Sequence, residues 1–462
     1  MMRVDLRGIN QKDEFVKRVK EAVRNLKQGS WLLGGGWNND LWGGELPKAS
    51  WIDSLTPHNP VWLIRVDHHM GLANSLALRL TGISSSSKDV DGGSIVKSIN
   101  GEPTGLLVDA AMNLIFGVIP KASEDDRREA LSRASSYALS NGVTTIVDFG
   151  RYFQGQTVEH PWDDLADVYE WADSLDSMRI RACLFFPMES WSRLYDRFAK
   201  NGRAISDWIY LGGIKAFADG SLGSSSALFY ESYVNEPHNH GLQVMDPEKL
   251  LDIILLADKS ELQVAIHAIG DKANDRILDI YKSVISINGR RDRRFRIEHA
   301  QHLAPEAPSR FSKLGIVASM QPLHLLDDVD SSMKKLGVDR AEKGSYQFHS
   351  LLAENVQLAF GSDWPVADMC PLETIKVATK RIPPGWDKAW TPEQRISLND
   401  SLTAHTISAA SACFLDDVVG SLSLGKFADF VILSAKSLTE FEMDETVSVY
   451  ATYVGGRRAF PL

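Results

Sequence analysis

The sequence predicts an α/β protein whose main body is a (β/α)8, TIM-like barrel, and three observations carry that expectation. From about residue 125 onward, amphipathic helical segments alternate with short β-branched apolar runs, the pattern of parallel βα units. Polar or ionisable residues finish nearly every one of those runs, and functional groups at several strand ends are the habit of a barrel whose site is assembled at its C-terminal face. No glycine-rich phosphate turn opens the series, as it would in an open doubly wound sheet.

The elements follow in order. Residues 125–140 (DDRREALSRASSYALS) place Ala130, Leu131, Ala134, Tyr137 and Ala138 on one helical face, with Gly142 positioned to end the helix before the strand VTTIVDF. The apolar runs RIRACLFF, YLGGIKAFA, VAIHAI, FRIEHA, IVASMQ and LAFGS come next, separated by helical segments that include Lys249–Lys259, Asn274–Val284 and Pro305–Leu314. These are barrel strands two to eight, spanning residues 121–414, and the first strand is missing. Either it belongs before residue 1 or WLLGGGW at Trp31–Trp37 takes its place, so residues 1–35 are read as a segment leading into the barrel. Residues 36–120, rich in Trp, Pro and Gly, interrupt the pattern and are read as an insertion covering the barrel mouth. Residues 415–462 carry GSLSLGKFADFVIL and VSVYATYVGGRRAF, two β-rich pieces that predict part of a small β-sandwich.

Composition narrows the function. The 462 residues, 44% hydrophobic, suffice for a large core. A net charge of −10, with 50 Lys and Arg against 60 Asp and Glu, supplies no basic stripe for nucleic acid and no polybasic membrane patch. Cys183, Cys370 and Cys413 are far apart and outside any C-x-x-C pattern, which argues against a disulfide framework or thiolate zinc site. With no signal-like apolar core and no membrane-length run, the expectation is a cytoplasmic protein.

Four strand-end residues suggest a metal centre. His267 and His299 lie on neighbouring predicted strands, where their imidazoles could meet one cation at zinc-like distances of about 2.0–2.1 Å. Lys215, flanked by Ile214, Ala216 and Phe217, is costly to bury charged; carboxylation would turn it into a carbamate able to bridge two metals, and the alternative is a buried Lys paired with Asp219 or Asp363. Asp363, in FGSDWP, is a hard oxygen ligand and a plausible catalytic base, with helix capping as its structural alternative. Around these, Asp219, Asp271, Gln321, His324 and Trp364 are candidate substrate-binding residues, together with Trp37, His69 and Asn74 in the insertion. Asp148 is read as a supporting strand-end group, Asp271 equally as a helix N-cap, and the insertion aromatics equally as core.

The strings GGWNNDLWGGELP, RVDHHMGLANSLAL, GEPTGLL, GVTTIVDFG, GGIKAFADGSLGSSSALF, IHAIGDKAND, IEHAQ, QPLH and GSDWPV resemble the amidohydrolase superfamily. The branch is amidohydrolase family 3, the N-substituted formamide deformylase-like enzymes, and within it the chain is similar to plant members tied to phytochrome A and far-red light signalling. The resemblance spans essentially the whole chain. It implies a metallo-dependent hydrolase barrel with a composite β-sandwich and hydrolysis of a small-molecule amide-type C–N bond by metal-activated water. By position, Lys215 matches the bridging lysine, His267 and His299 the two later histidine ligands, Asp363 the strand-eight aspartate, and His69 the histidine of the insertion's Asp-Gly-His segment. The family's first strand ends in His-x-His, and no such strand is present here; His238-Asn239-His240 lies in a Pro/Asn/Gly loop and matches no ligand position. The expectation is therefore at most one tightly held divalent metal, held by Lys215 as carbamate with His267 and His299, zinc being the leading identity with iron, manganese and nickel also suited to the ligands. The alternative is a truncated, catalytically impaired isoform that works by binding a signalling partner, cytoplasmic or perinuclear like the plant member. Homodimerisation stays open.

Overall fold

The computed structural model describes residues 3–24, 26–151, 157–444 and 446–461. They fall into two compact units: one built mainly from Met1–Lys121 and Asp219–Val244, the other from Ala122–Tyr152, Thr157–Ala218 and Met245–Leu462.

The first unit is organised on a six-stranded mixed sheet. Its strands are β1 (Arg3–Asp5), β2 (Leu32–Trp37), β3 (Val61–Arg65), β4 (Met70–Ala73), β5 (Gly93–Lys97) and β6 (Pro103–Asp109), in the order β1-β2-β3-β4-β6-β5. Alternation along each strand serves two cores. Val61, Leu63, Met70, Leu72, Leu106 and Val108 join one cluster with Phe15 and Val19 of the helix Lys12–Arg24, while Trp62, Ala73 and Leu107 join another with Leu78 and Ile115. WLLGGGW thus forms a strand, β2, but it pairs in parallel with β1 and β3 and not with any barrel strand. Its glycines answer to crowding: a Cβ at Gly34 would lie 2.1 Å from the Val4 carbonyl oxygen. A division at residue 35 cuts through β2 itself, because residues before and after it share this one sheet.

The second unit holds a seven-stranded, all-parallel sheet that curls as a half-barrel of the TIM type. In chain order its strands are β7 (Thr145–Asp148), β8 (Arg181–Pro187), β9 (Ile209–Phe217), β10 (Gln263–Ala268), β11 (Arg296–His299), β12 (Val317–Met320) and β13 (Leu358–Phe360), each paired with its sequence neighbour. They coincide with the seven apolar runs. All residues of β8 and β10 are buried, as expected of parallel strands covered on both faces. The intervening helices include Pro247–Lys259, Asp271–Asn288 and Ala307–Leu314.

The helix Glu124–Ser140 differs from expectation in its buried face. Ser135, Ala138 and Leu139 are buried, whereas Ala130 and Tyr137 are exposed. The shift follows from its partner: Leu139 accepts a hydrogen bond from Thr452 at 2.7 Å and clusters with Val454 of the three-stranded antiparallel sheet β14 (Phe430–Leu433), β15 (Val449–Val454) and β16 (Arg457–Phe460). Gly142, at φ 80°, follows the helix end in the left-handed conformation. Arg181 ties β8 to this region through Asp429 at 2.7 Å, a pair buried on both sides.

Candidate metal centre

Parallel pairing fixes where the strand-end residues lie. Lys215 pairs with Ala265, Phe217 with His267, and Ala268 with His299, so these groups occupy the C-terminal ends of β9, β10 and β11. Asp363 follows β13 by three residues. All belong to the same end of the sheet.

Strict alternation would separate the two imidazoles, because His267 pairs with Glu298, leaving His299 on the opposite face. The backbone departs from alternation there: His299 has φ 75° and Ala300 φ 43°. The turn re-aims the ring, and the His267 and His299 centroids lie 4.5 Å apart, edge to face. Asp363 is also left-handed, at φ 54°. Non-glycine residues held in this region cost of order 1–3 kcal/mol each and cluster at functional sites.

Among the described residues, His299, His324 and Asp363 form a set whose ligand atoms all lie within 4.8 Å of one another. His324 is the first residue of the helix His324–Leu336 after β12, and its ring lies 6.1 Å from that of His299 at an interplanar angle of 21°. It was assigned from sequence to substrate; the geometry groups it with the metal-type donors. The donor chemistry, two imidazoles and a carboxylate, suits a divalent transition metal.

Lys215 is buried, with its Nζ 4.4 Å from the Phe217 ring centroid and 5.2 Å from that of Phe149. His267, also buried, lies 5.3 Å from the same Phe217 ring. Asp363 caps no helix, since the next described helix, Pro371–Lys380, begins after Cys370. Asp271 is the first residue of its helix and Gly270 occupies the cap position, so the N-cap reading of Asp271 is corrected. Gln321 is buried and donates to the Ser319 carbonyl at 3.3 Å, while Trp364 is 43% exposed and packs near Tyr137. Asp148 is engaged structurally, accepting from Tyr169 Oη at 2.6 Å and the Gly150 amide at 2.7 Å.

Two of the expected substrate residues are buried and hydrogen-bonded within the first unit. Trp37 is fully buried in the first unit's core and donates to the Leu63 carbonyl at 2.8 Å. Asn74 is 1% exposed and its amide is committed: Oδ1 accepts from the Val61 and Ala77 amides, and Nδ2 donates to Thr56 and Asn59.

His69 belongs to a separate buried cluster within the first unit. Its Nδ1 lies 2.5 Å from Asp109 Oδ1, and Asp67 accepts its backbone N–H. Asp67 also accepts from Arg65 at 2.9 Å and Ser221 at 2.5 Å. Burial pushes the His69 imidazole down, but Asp109, Asp67 and Asp219 outweigh it and hold its pKa above the ordinary value. Gly223 lies against this cluster: a Cβ there would lie 2.0 Å from Arg65 Nη1, and the guanidinium would have to shift. Asp219, fully buried, accepts the Leu228 amide at 2.8 Å. Asp109 went unrecognised in the sequence, although LLVD, an apolar run ending in a carboxylate, carries the same signal that identified the barrel residues.

A family model described as "Amidohydrolase family" matches residues 1–460. The chain is 63% identical over 461 residues to Protein LONG AFTER FAR-RED 3 of Arabidopsis thaliana, covering 100% of this chain and 79% of that protein. It is 25% identical over 457 residues to the N-substituted formamide deformylase of Arthrobacter pascens, covering 96% and 81%. Among solved structures, a metal-dependent hydrolase of Pyrococcus horikoshii is similar with a TM-score of 0.69 and 27% identity, covering 92% of this chain and 80% of that one.

Proposed function

The chain belongs to the amidohydrolase family, and from that premise we propose that it is a metal-dependent hydrolase cleaving a non-peptide, amide-type C–N bond of a small molecule. The observation that carries this reading is the convergence of His267, His299, His324 and Asp363 at the C-terminal ends of neighbouring parallel strands, against the alternation that would have kept the first two apart. Those residues, with Lys215 as a carbamate in the fullest version of the reading, form the pool of ligands for a divalent cation, zinc first among the candidates. Such a cation supplies Lewis acidity, polarising the scissile carbonyl and bringing the pKa of water toward neutrality. Asp363 stands exposed at the rim of the group; it takes the proton from the attacking water and returns it to the leaving nitrogen. Likeness to an N-substituted formamide deformylase makes N-formyl amides the first substrates to try.

The test is hydrolysis of a panel of N-formyl and simple amides by purified chain with Zn2+, Mn2+ or no metal. Metal-dependent turnover is expected, falling by about 10²–10⁴-fold in Asp363→Asn, the range of a lost general acid–base group. Absence of turnover from every substrate with every metal sinks the reading. A second reading, a binding role in far-red light signalling at a cytoplasmic or perinuclear location, draws on the 63% identity to LONG AFTER FAR-RED 3; it would then stand.

A further inference from the structure

We infer that His324 is itself a metal ligand, completing a three-residue site with His299 and Asp363 that is filled from three consecutive strands of the sheet. The inference rests on the metal-hydrolase reading above and specifies which side chains hold the ion.

Three features carry it. First, His299, His324 and Asp363 present donor atoms that all lie within 4.8 Å of one another. Ligand bonds of about 2.0–2.2 Å require sub-ångström adjustments from that spacing. Second, the donors come from the end of β11, the first turn after β12 and the turn after β13, so each rests on a different paired strand. Two imidazoles and one carboxylate, with a position left for solvent, are the ligand count of a catalytic zinc site.

Third, the two histidine-bearing segments are held in register by a half-buried bridge. Asp328, one turn beyond His324 on the same helix, accepts hydrogen bonds from Gln301, two residues past His299, and from Tyr346 Oη at 2.5 Å. The Tyr346 amide in turn donates to the Gln301 carbonyl at 2.8 Å. This bridge fixes the helix start against the end of β11, and a ligand pair needs that relation fixed.

The experiment is a Co2+ titration of the whole chain followed by visible absorption, with metal content after dialysis measured on the same samples. The wild-type chain should take up one Co2+, and His324→Gln should weaken binding by more than about a hundredfold, beyond what losing an outer-shell partner costs. The absorption bands should change as well. His324→Glu, which supplies a carboxylate donor in place of the neutral imidazole, should recover most of the affinity with a shifted spectrum, and so separates ligand loss from misfolding. If His324→Gln binds Co2+ with wild-type affinity and spectrum, His324 is not a ligand and the inference fails, while the metal-hydrolase reading survives through the remaining residues. If the wild-type chain binds no Co2+, both fail.

Discussion

His299 shows how much a single residue's backbone can decide. At φ 75° it sits where L-residues pay about 1–2 kcal/mol, and that departure turns its ring toward His267. Two variants isolate the strain from the side chain. His299→Ala and His299→Gly both remove the imidazole, but only glycine adopts φ 75° without penalty. In metal-free chemical denaturation the Gly variant should be more stable than the Ala variant by about 1 kcal/mol, the reverse of the usual order at a strand end. Ala equal to or above Gly would show that the turn carries no strain. The identity of His299 as a candidate was legible in FRIEHA, but its orientation was not, since alternation alone aims it the wrong way. His324 was legible as a strand-end group in QPLH yet was assigned to substrate, because nothing in one sequence measures its distance from Asp363. Trp37 and Asn74 stay two-sided in the sequence for a related reason: an aromatic or amide side chain reads the same whether it contacts a ligand or its own core.

At the scale of elements, the seven parallel strands were readable because burial on both faces makes each a compact apolar run, and the barrel habit puts ionisable residues where the run stops. The helix Glu124–Ser140 was readable in extent but not in face, since Ser135 is buried and no hydrophobic pattern marks a buried serine. WLLGGGW was readable as a strand and not by partner: pairing is a long-range choice, made here by β1 and β3. The Asp328 bridge is likewise invisible to periodicity, as it joins positions 301, 328 and 346. Its removal should loosen the join between the start of His324–Leu336 and the end of β11. Asp328→Asn is expected to lower Co2+ affinity by about 10–100-fold, the range for partners that orient ligands, while the absorption bands keep their wild-type shape. A changed spectrum, or no loss of affinity, would remove Asp328 from that positioning role.

For the molecule as a whole, the two compact units carry different chemistry. The metal-type donors lie in the unit with the parallel sheet, and the buried His69 cluster lies in the unit with the mixed sheet. The second cluster predicts a pH response localised to its own unit. His69 is pressed toward neutrality by burial and toward the charged form by Asp109, Asp67 and Asp219; the carboxylates win, and its folded pKa lies above the ordinary 6.5. Asp67, whose own carboxyl is raised by burial, is held below the usual range by Arg65, His69 and Ser221. A group with a raised folded pKa contributes stability that is fully present below the unfolded value and is lost as pH rises through the folded one. Hydrogen exchange, corrected for intrinsic rates, should therefore show β4, β6 and the Ser221–Leu228 segment well protected near pH 6 and progressively less so above neutrality. In His69→Gln the pH-dependent component should vanish. In Asp109→Asn, with its nearest carboxylate gone, the loss of protection should begin at lower pH. Identical pH profiles for wild type and His69→Gln would mean that the imidazole is not the titrating group, and the 2.5 Å contact with Asp109 would then be a neutral hydrogen bond with no bearing on stability above pH 6.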